Sequence, residues 1–397
     1  MTEDFFKYQA QTTQHPLAIE ISHAKGSYIY STDGKKHLDF VAGVSACTLG
    51  HQHPRVNQAI KDQVDKYAHV MVYGEYIQKP AVDFCKLLVK NLPKELNKVY
   101  LVNSGTEATE GALKLVKRVT GRSQLISCVN AYHGNTQGSM SVLGNEDRKQ
   151  AFRPLLPDVD FITFNKEEDI LKITNRTAGI ILETIQGSAG FITPINNFLQ
   201  KVKQRCEEVG ALLILDEIQP GFGRTGKLFG FENYEVVPDV LVIGKGMGGG
   251  LPVGAFVADQ KYMDLLAHDP KCGHITTFGG HPIIAASCLA TLQELLETDL
   301  MQKALEKEKL FRKLLQHPLI TAIHGLGLML APMTPSDEIT NKVILKCKEK
   351  GLILFWLMFE GKAIRITPPL TISDEEIEIG CSIILESLNE VQKELNL

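Results

Sequence analysis

Leu241–Gly254, LVIGKGMGGGLPVG, is the stretch whose reading decides the fold. It contains G-x-G-x-x-G as Gly244, Gly246 and Gly249, directly after an apolar run that reads as a buried strand. A dinucleotide-binding turn must open a helix whose N-terminus faces the pyrophosphate, followed by a second strand ending in an acid. Here Gly250, Leu251, Pro252, Val253 and Gly254 leave no room for a helix before the next apolar run, AFVAD. Asp259 ends that run, but no crossover helix separates the two strands. A phosphate-gripping P-loop fails too, because no G-K-[ST] is present. What remains is Lys245 at the carboxyl end of a predicted central strand, the face where α/β sheets collect ligands. The surrounding glycines let a bulky group approach the backbone. A lysine desolvated there falls below its ordinary pKa of ~10.4, which frees the amine as a nucleophile. On Lys245 alone, a surface lysine in a flexible loop remains an equal reading.

The same strand character recurs outward from this stretch. Ala178–Glu183 (AGIILE), Ala211–Glu217 (ALLILDE) and Asp239–Gly244 (DVLVIG) are continuous apolar runs of the kind that form strands covered on both faces. KVYLVNSG from Lys98 is a strand meeting a loop, and TEATEGALKLVKRVTG is an amphipathic helix ending at Gly121. Strands alternating with helices from about 46 to 290 imply an α/β fold with a mostly parallel sheet. Gly26–Phe40 reads as a β-hairpin turning at Asp33-Gly34. After about Thr298 come a charged helix, short strands and a final amphipathic helix. The expected division is a large domain over 46–299 and a smaller α+β domain built from 1–45 with 300–397.

The bulk numbers fit that picture. A chain of 397 residues suits one large domain with a smaller partner. A net charge of -4 gives no electrostatic reason to expect nucleic acid or an anionic membrane. No apolar run approaches the roughly 20 residues needed to span a bilayer. The polar N-terminus matches neither a secretory signal nor a transit peptide. None of the eight cysteines stands at C-x-x-C spacing, against a zinc site or a disulfide framework. A cytoplasmic, enzyme-sized protein is the expectation.

Three further strand ends carry chemistry that matches Lys245. Asp216 follows five apolar residues, and an acid at the end of a buried strand is costly without a cationic partner; a helix N-cap is its alternative. Ser104, Gly105 and Thr106 stand at a strand-to-helix turn, where free N–H groups and the helix dipole make an anion site. Taken alone, that turn is no more than a capping box of Ser104 with Glu107. Tyr132, in AYHGNT, follows a strand and is placed to stack on an aromatic ring. Lysine nucleophile, acid for a ring nitrogen, phosphate turn and stacking aromatic are together the set that pyridoxal phosphate requires.

Their order along the chain brings out a family resemblance. The sequence resembles the class III (ω-amino acid) pyridoxal-phosphate aminotransferases, in particular the acetylornithine and ornithine aminotransferases. Eight blocks carry it in family order: DGKKHLDFVAGVSACTLGHQHPRV, NSGTEA, AYHG, LETIQG, DEIQPGFGRTG, GKGMGGGLPVGA, TTFGGHP and IRITPPL. The resemblance implies a fold type I PLP-transferase that moves an amino group between a donor and a 2-oxo acid through a Lys245 Schiff base. It assigns Asp216 to the pyridinium nitrogen, Gln219 to the phenolic oxygen, Gly105 and Thr106 to the phosphate, and Tyr132 to the ring face. Glu183 matches the acid of the family's E-P-I-Q-G block, with Thr184 in place of the proline. Thr277 matches a threonine that reaches the phosphate of the neighbouring subunit's cofactor, which implies a homodimer with shared sites. Arg365 matches the arginine that grips the substrate α-carboxylate, a task suited to its rigid fork.

Two departures bear on substrate. Asn135 stands where acetylornithine and ornithine enzymes carry an arginine for the distal carboxylate of glutamate, and an amide cannot form that bidentate pair. Ser188 stands where a glutamate often gates the α-carboxylate arginine. The sequence leaves open the donor, and 2-oxoglutarate or pyruvate as acceptor. Alternative readings are a mutase, racemase or decarboxylase on the same fold, a cofactor-binding protein without catalysis, and a nicotinamide dehydrogenase. Tyr73, Tyr76 and Trp356 stand as candidates to line a more apolar pocket.

Overall fold

A computed structural model describes residues 1–396; Leu397, the last residue of the expected small domain, lies outside them. The strands in chain order are β1 (Ile21–Lys25), β2 (Tyr28–Ser31), β3 (Lys36–Asp39), β4 (Lys98–Val102), β5 (Gln124–Cys128), β6 (Val159–Ile162), β7 (Thr177–Glu183), β8 (Leu212–Asp216), β9 (Val240–Gly244), β10 (Gly254–Ala258), β11 (Ala322–Leu326), β12 (Met329–Met333), β13 (Leu352–Ile353), β14 (Phe355–Trp356) and β15 (Ile364–Arg365). The seven-stranded central sheet runs β4-β10-β9-β8-β7-β5-β6. All its pairings are parallel except those of β10, which is antiparallel to both β4 and β9. That explains the missing crossover helix after Lys245. An antiparallel neighbour needs only a short return, and Lys245–Val253 supplies it as one 3-10 turn and glycine-rich coil.

The three apolar runs are the centre of this sheet. Every residue of β7, β8 and β9 is buried. Their side chains divide between two cores on opposite faces: Leu213, Leu215 and Ile243 on one, Leu212, Ile214 and Val242 on the other. Each buried aliphatic of this size contributes about 1.5–3 kcal/mol relative to exposure. The helix expected after β4 spans Gly105–Thr120. Ser104 caps its start by accepting from the Glu107 N–H, and Gly121 ends it at φ 67°. It presses Ala108, Ala112, Leu115 and Val116 onto the sheet. Gly111 allows the closest approach: a Cβ there would sit 2.3 Å from Phe256 Cε1 on β10.

The hairpin expected at Asp33-Gly34 forms, pairing β2 with β3 in the register Tyr28↔Leu38. It becomes a four-stranded sheet, β1-β2-β3-β13, because Leu352 and Ile353 pair parallel with Leu38 and Asp39. The predicted late helices are Leu300–Leu314 and Asp374–Glu394, the latter opened by a full capping box of Ser373 with Glu376. Among the described residues, no helix is long and apolar enough to cross a membrane.

Behind β8, Glu217 is fully buried and cross-ties the layer. It accepts from the Thr184 hydroxyl at the end of β7 (2.5 Å) and from the N–H groups of Gly230 (2.8 Å) and Phe231 (2.7 Å). Burial raises its carboxyl to about 7 despite those donors, with the neighbouring Asp216 adding a smaller push in the same direction.

Two outcomes follow. Gly111→Ala, although alanine is the better helix former, is expected to lower the free energy of unfolding by about 1–3 kcal/mol, because its methyl meets the Phe256 ring; denaturant titration measures it. For Glu217, a carboxyl raised in the fold stabilises in its protonated form. Its contribution is full below the unfolded value of 4.5 and is lost as pH rises through about 7. The stability difference between wild type and Glu217→Gln is therefore expected to shrink as pH rises from 4.5 to 7, and a flat difference would remove Glu217 from this role.

Candidate active site

The parallel register sets the site at the carboxyl ends of β7, β8 and β9. Glu183 pairs with Asp216, and Asp216 with Val242, two residues short of Gly244. The chain then turns at Lys245 with φ 41°, a left-handed conformation uncommon for a residue with a side chain. A cleft of about 410 Å³ opens there. Its wall includes Lys245, Asp216, Glu183, Gln219, Gly105, Thr106, Tyr132, Asn135 and Arg365, brought together from separate segments as the sequence implies.

Among the described residues, Lys245 Nζ makes no hydrogen bond or ion pair with any side chain, and burial holds its pKa below the ordinary lysine value. A desolvated, unpartnered amine is poised to react as the free base. Asp216 is 3% exposed. No helix directly follows it, so the N-cap alternative fails; residues 218–226 are turns and bends. Its Oδ1 accepts from the Ile218 N–H (2.9 Å) and its Oδ2 from His133 Nδ1 (2.8 Å). His133 is the residue that sequence reasoning passes over. It is buried, its tautomer is fixed by the carboxylate, and its Nε2 has no partner among the described residues. Its place beside Tyr132 in AYHG is the one available signal.

Glu183 accepts from the Tyr132 N–H on one oxygen (3.1 Å) and from the Gly187 N–H on the other (2.9 Å), and so clamps two loops over the sheet end. Burial raises its carboxyl to about 7. Gln219 lies in the wall with its amide 3.4 Å from the Ser45 hydroxyl. At the start of the Gly105–Thr120 helix, the N–H groups of Gly105 and Thr106 have no intrahelical acceptor, and the helix dipole points its positive end into the cleft. The Thr106 hydroxyl bonds to those of Ser139 (2.7 Å) and Thr136 (2.9 Å). Gly134, at φ 126°, passes so close to Thr106 that a Cβ would fall 2.3 Å from Thr106 Oγ1.

Arg365, on β15, is 6% exposed and burial lowers its pKa to about 10. Its Nε donates to the Trp356 carbonyl at 3.5 Å, and its guanidinium carbon lies 5.7 Å from the Phe191 ring centroid.

Two of the expected site residues are not in the wall. Ser104 spends its hydroxyl on the helix cap, in keeping with the simpler of its two readings. Thr277 is exposed in the 275–280 loop, next to Thr276, Gly279 and Gly280, which border a different groove. That groove also takes Tyr73 and Tyr76, so neither lines the main cleft. Trp356 also lies outside the wall; it backs Arg365 through its carbonyl and gives its indole N–H to Asn341 (2.5 Å).

The donor set fits pyridoxal phosphate on geometry alone: an unpartnered amine, a carboxylate facing the same space, and open helix N–H groups for a phosphate. Comparison with known proteins agrees. Residues 8–388 match the family model Aminotransferase class-III. An acetylornithine aminotransferase of Clostridium acetobutylicum is 36% identical over 93% of this chain and 96% of its own length. A [LysW]-aminoadipate semialdehyde/glutamate semialdehyde transaminase of Sulfolobus acidocaldarius is 34% identical over 94% and 96%. The crystal structure of an ornithine aminotransferase from Toxoplasma gondii superposes with a TM-score of 0.91 at 31% identity, covering 99% of this chain and 96% of that one. The chain belongs to the class III aminotransferases, the pyridoxal-phosphate-dependent transaminases of the fold type I α/β class.

Proposed function

We propose that Lys245 is the covalent anchor and proton carrier of this transaminase, with Asp216 as the acid beneath the cofactor's ring nitrogen. The observation that carries this is the unpartnered Lys245 amine in the same cleft as a buried, doubly hydrogen-bonded Asp216. Bound there, pyridoxal phosphate supplies an aldehyde for the amino group and a cationic ring that draws electron density from the substrate carbon. Asp216 keeps that nitrogen protonated, and His133 holds the carboxylate in place. Gly105 and Thr106 receive the phosphate on their N–H groups. Tyr132 and Ile218 present apolar surface to the ring, and Gln219 donates to the phenolic oxygen. Lys245 Nζ takes the proton from the carbon bearing the donor's amino group and returns a proton to the carbonyl carbon of the acceptor.

Arg365 receives the α-carboxylate on its guanidinium, a charge-assisted pair. Among the described residues, Lys245 and Arg365 are the only lysine or arginine side chains in the cleft wall, and Asn135 offers no second cation for a distal carboxylate. This favours a short 2-oxo acid such as pyruvate over 2-oxoglutarate. The acetylornithine and aminoadipate-semialdehyde names of the relatives support a donor whose reacting amine is terminal.

Thr277 lies outside the cleft wall of its own chain, and we assign it to the partner's phosphate in a homodimer. In support, Ile77 is 95% exposed, and Tyr76, Phe278, Ile275, Tyr73 and Met71 are also exposed. Eight free cysteines, with no disulfide between them, support a reducing, cytoplasmic setting.

Borohydride reduction is expected to fix the cofactor to wild type but not to Lys245→Ala, which is expected to lose at least 10²–10⁴-fold in kcat; a wild-type chain left unlabelled sinks the assignment. Asn135→Arg is expected to raise kcat/KM for glutamate by roughly tenfold or more, a gain of one charge-assisted pair. Ile77→Asp is expected to shift the dimer towards monomer in sedimentation velocity and to weaken cofactor retention.

A further inference from the structure

Arg365 is a buried cation without a counter-ion of its own. Among the described residues neither Nη1 nor Nη2 has a hydrogen-bond partner, Nη1 is wholly out of reach of solvent, and no acid lies within 4.0 Å of the guanidinium. The nearest carboxylate influence comes from Glu183. That acid is already committed, one oxygen to Tyr132 and the other to Gly187. Ser188 occupies the wall beside it and brings no charge, its carbonyl serving the Phe359 N–H (3.0 Å). Nor is the arginine free to swing into water, since Nε is held by the Trp356 carbonyl and the fork lies against Phe191.

A desolvated charge left unpaired is strongly unfavourable, whereas the same charge paired and hydrogen-bonded is tolerated. Every substrate that places a carboxylate on Arg365 supplies the missing partner. An amine donor with no carboxylate does not, and leaves the guanidinium bare while the cleft fills.

We propose that the site requires a carboxylate-sized anion on Arg365 in both half-reactions, so that amino transfer from a carboxylate-free diamine depends on a separate small monocarboxylate bound beside it. The anion is an unconsumed co-ligand that pairs with the guanidinium through Nη2, the nitrogen left open to the cleft. The inference rests on the assignment of Arg365 to the α-carboxylate, and extends it from a recognition contact to a condition on turnover.

The test uses the cofactor-loaded dimer at constant ionic strength in a buffer without carboxylates. Loss of the cofactor's resting absorbance is followed on mixing with 1,4-diaminobutane, with formate, acetate or the bulkier pivalate added. Formate and acetate are expected to raise the single-turnover rate by roughly tenfold with saturation, and pivalate is expected to do less. Acetate alone is expected to raise the thermal midpoint of wild type by ordinary ligand linkage, but not that of Arg365→Leu. Ser188→Glu, which installs a carboxylate in the wall, is expected to accept the diamine without acetate and to lose the stimulation. A diamine rate that acetate leaves unchanged or lowers, while an α-amino acid bleaches the same enzyme normally, overturns the proposal. If no donor of either kind changes the spectrum with or without acetate, the amino-transfer assignment itself has failed.

Discussion

The structure depends on keeping opposite charges apart by design of a sheet end and together by the ligands that enter it. Parallel pairing of β7, β8 and β9 lines up Glu183 beside Asp216 and delivers Lys245 one residue past β9. Glu183, Asp216 and, across the cleft, Arg365 are buried, and Lys245 is desolvated enough to lower its pKa. Water-poor surroundings strengthen every electrostatic contact and make every missing one expensive. The acids have found internal donors, in His133, Ile218, Tyr132 and Gly187, whereas among the described residues the Lys245 amine has no partner and Arg365 has only the Trp356 carbonyl at Nε. That asymmetry is what a site looks like when its own partners are to be brought in by cofactor and substrate.

Holding it requires a stiff frame. Glu217 fastens the end of β7 to the 230–231 segment from behind, while Gly111 lets the Gly105–Thr120 helix lie tight on β10. Lys245 stands in a left-handed backbone conformation at the junction. Conformations of this kind persist only where the surroundings over-determine them. Flanking glycines make that easier: Gly246 packs where a Cβ would sit 2.3 Å from the Thr48 hydroxyl, and Gly249 supplies the next positive φ.

Much of this is legible in the chain because buried parallel strands announce themselves as unbroken apolar runs. The residue at the end of such a run falls at the carboxyl edge of the sheet, which is how Asp216 and Lys245 stand out from the order of residues alone, whereas Glu183 is singled out by the family resemblance. Helix caps are equally plain, at Ser104, Gly121 and Ser373. What pattern does not reveal is pairing across long separations. His133 meets Asp216 from 83 positions away, and nothing in AYHG states that the imidazole faces a strand end. Glu217 stands in sequence only as the acid that closes ALLILDE, yet it is buried, with three donors converging on it from distant segments. The direction of β10 is implicit in the absence of a crossover, and the location of Tyr73 and Tyr76 at another groove is not encoded locally at all.

The pairing of β3 with β13 carries a consequence for biogenesis. Leu38 and Asp39 find their outer neighbours only at Leu352 and Ile353, so a nascent chain emerging from the ribosome holds the hairpin without its fourth strand until that distant segment has been made. During that interval the exposed rim of the hairpin is an open template for foreign strands. Closure of the loop is a late, high-separation event of the kind that slows folding. The early hairpin is thereby secured only after the distant 352–353 segment has been made.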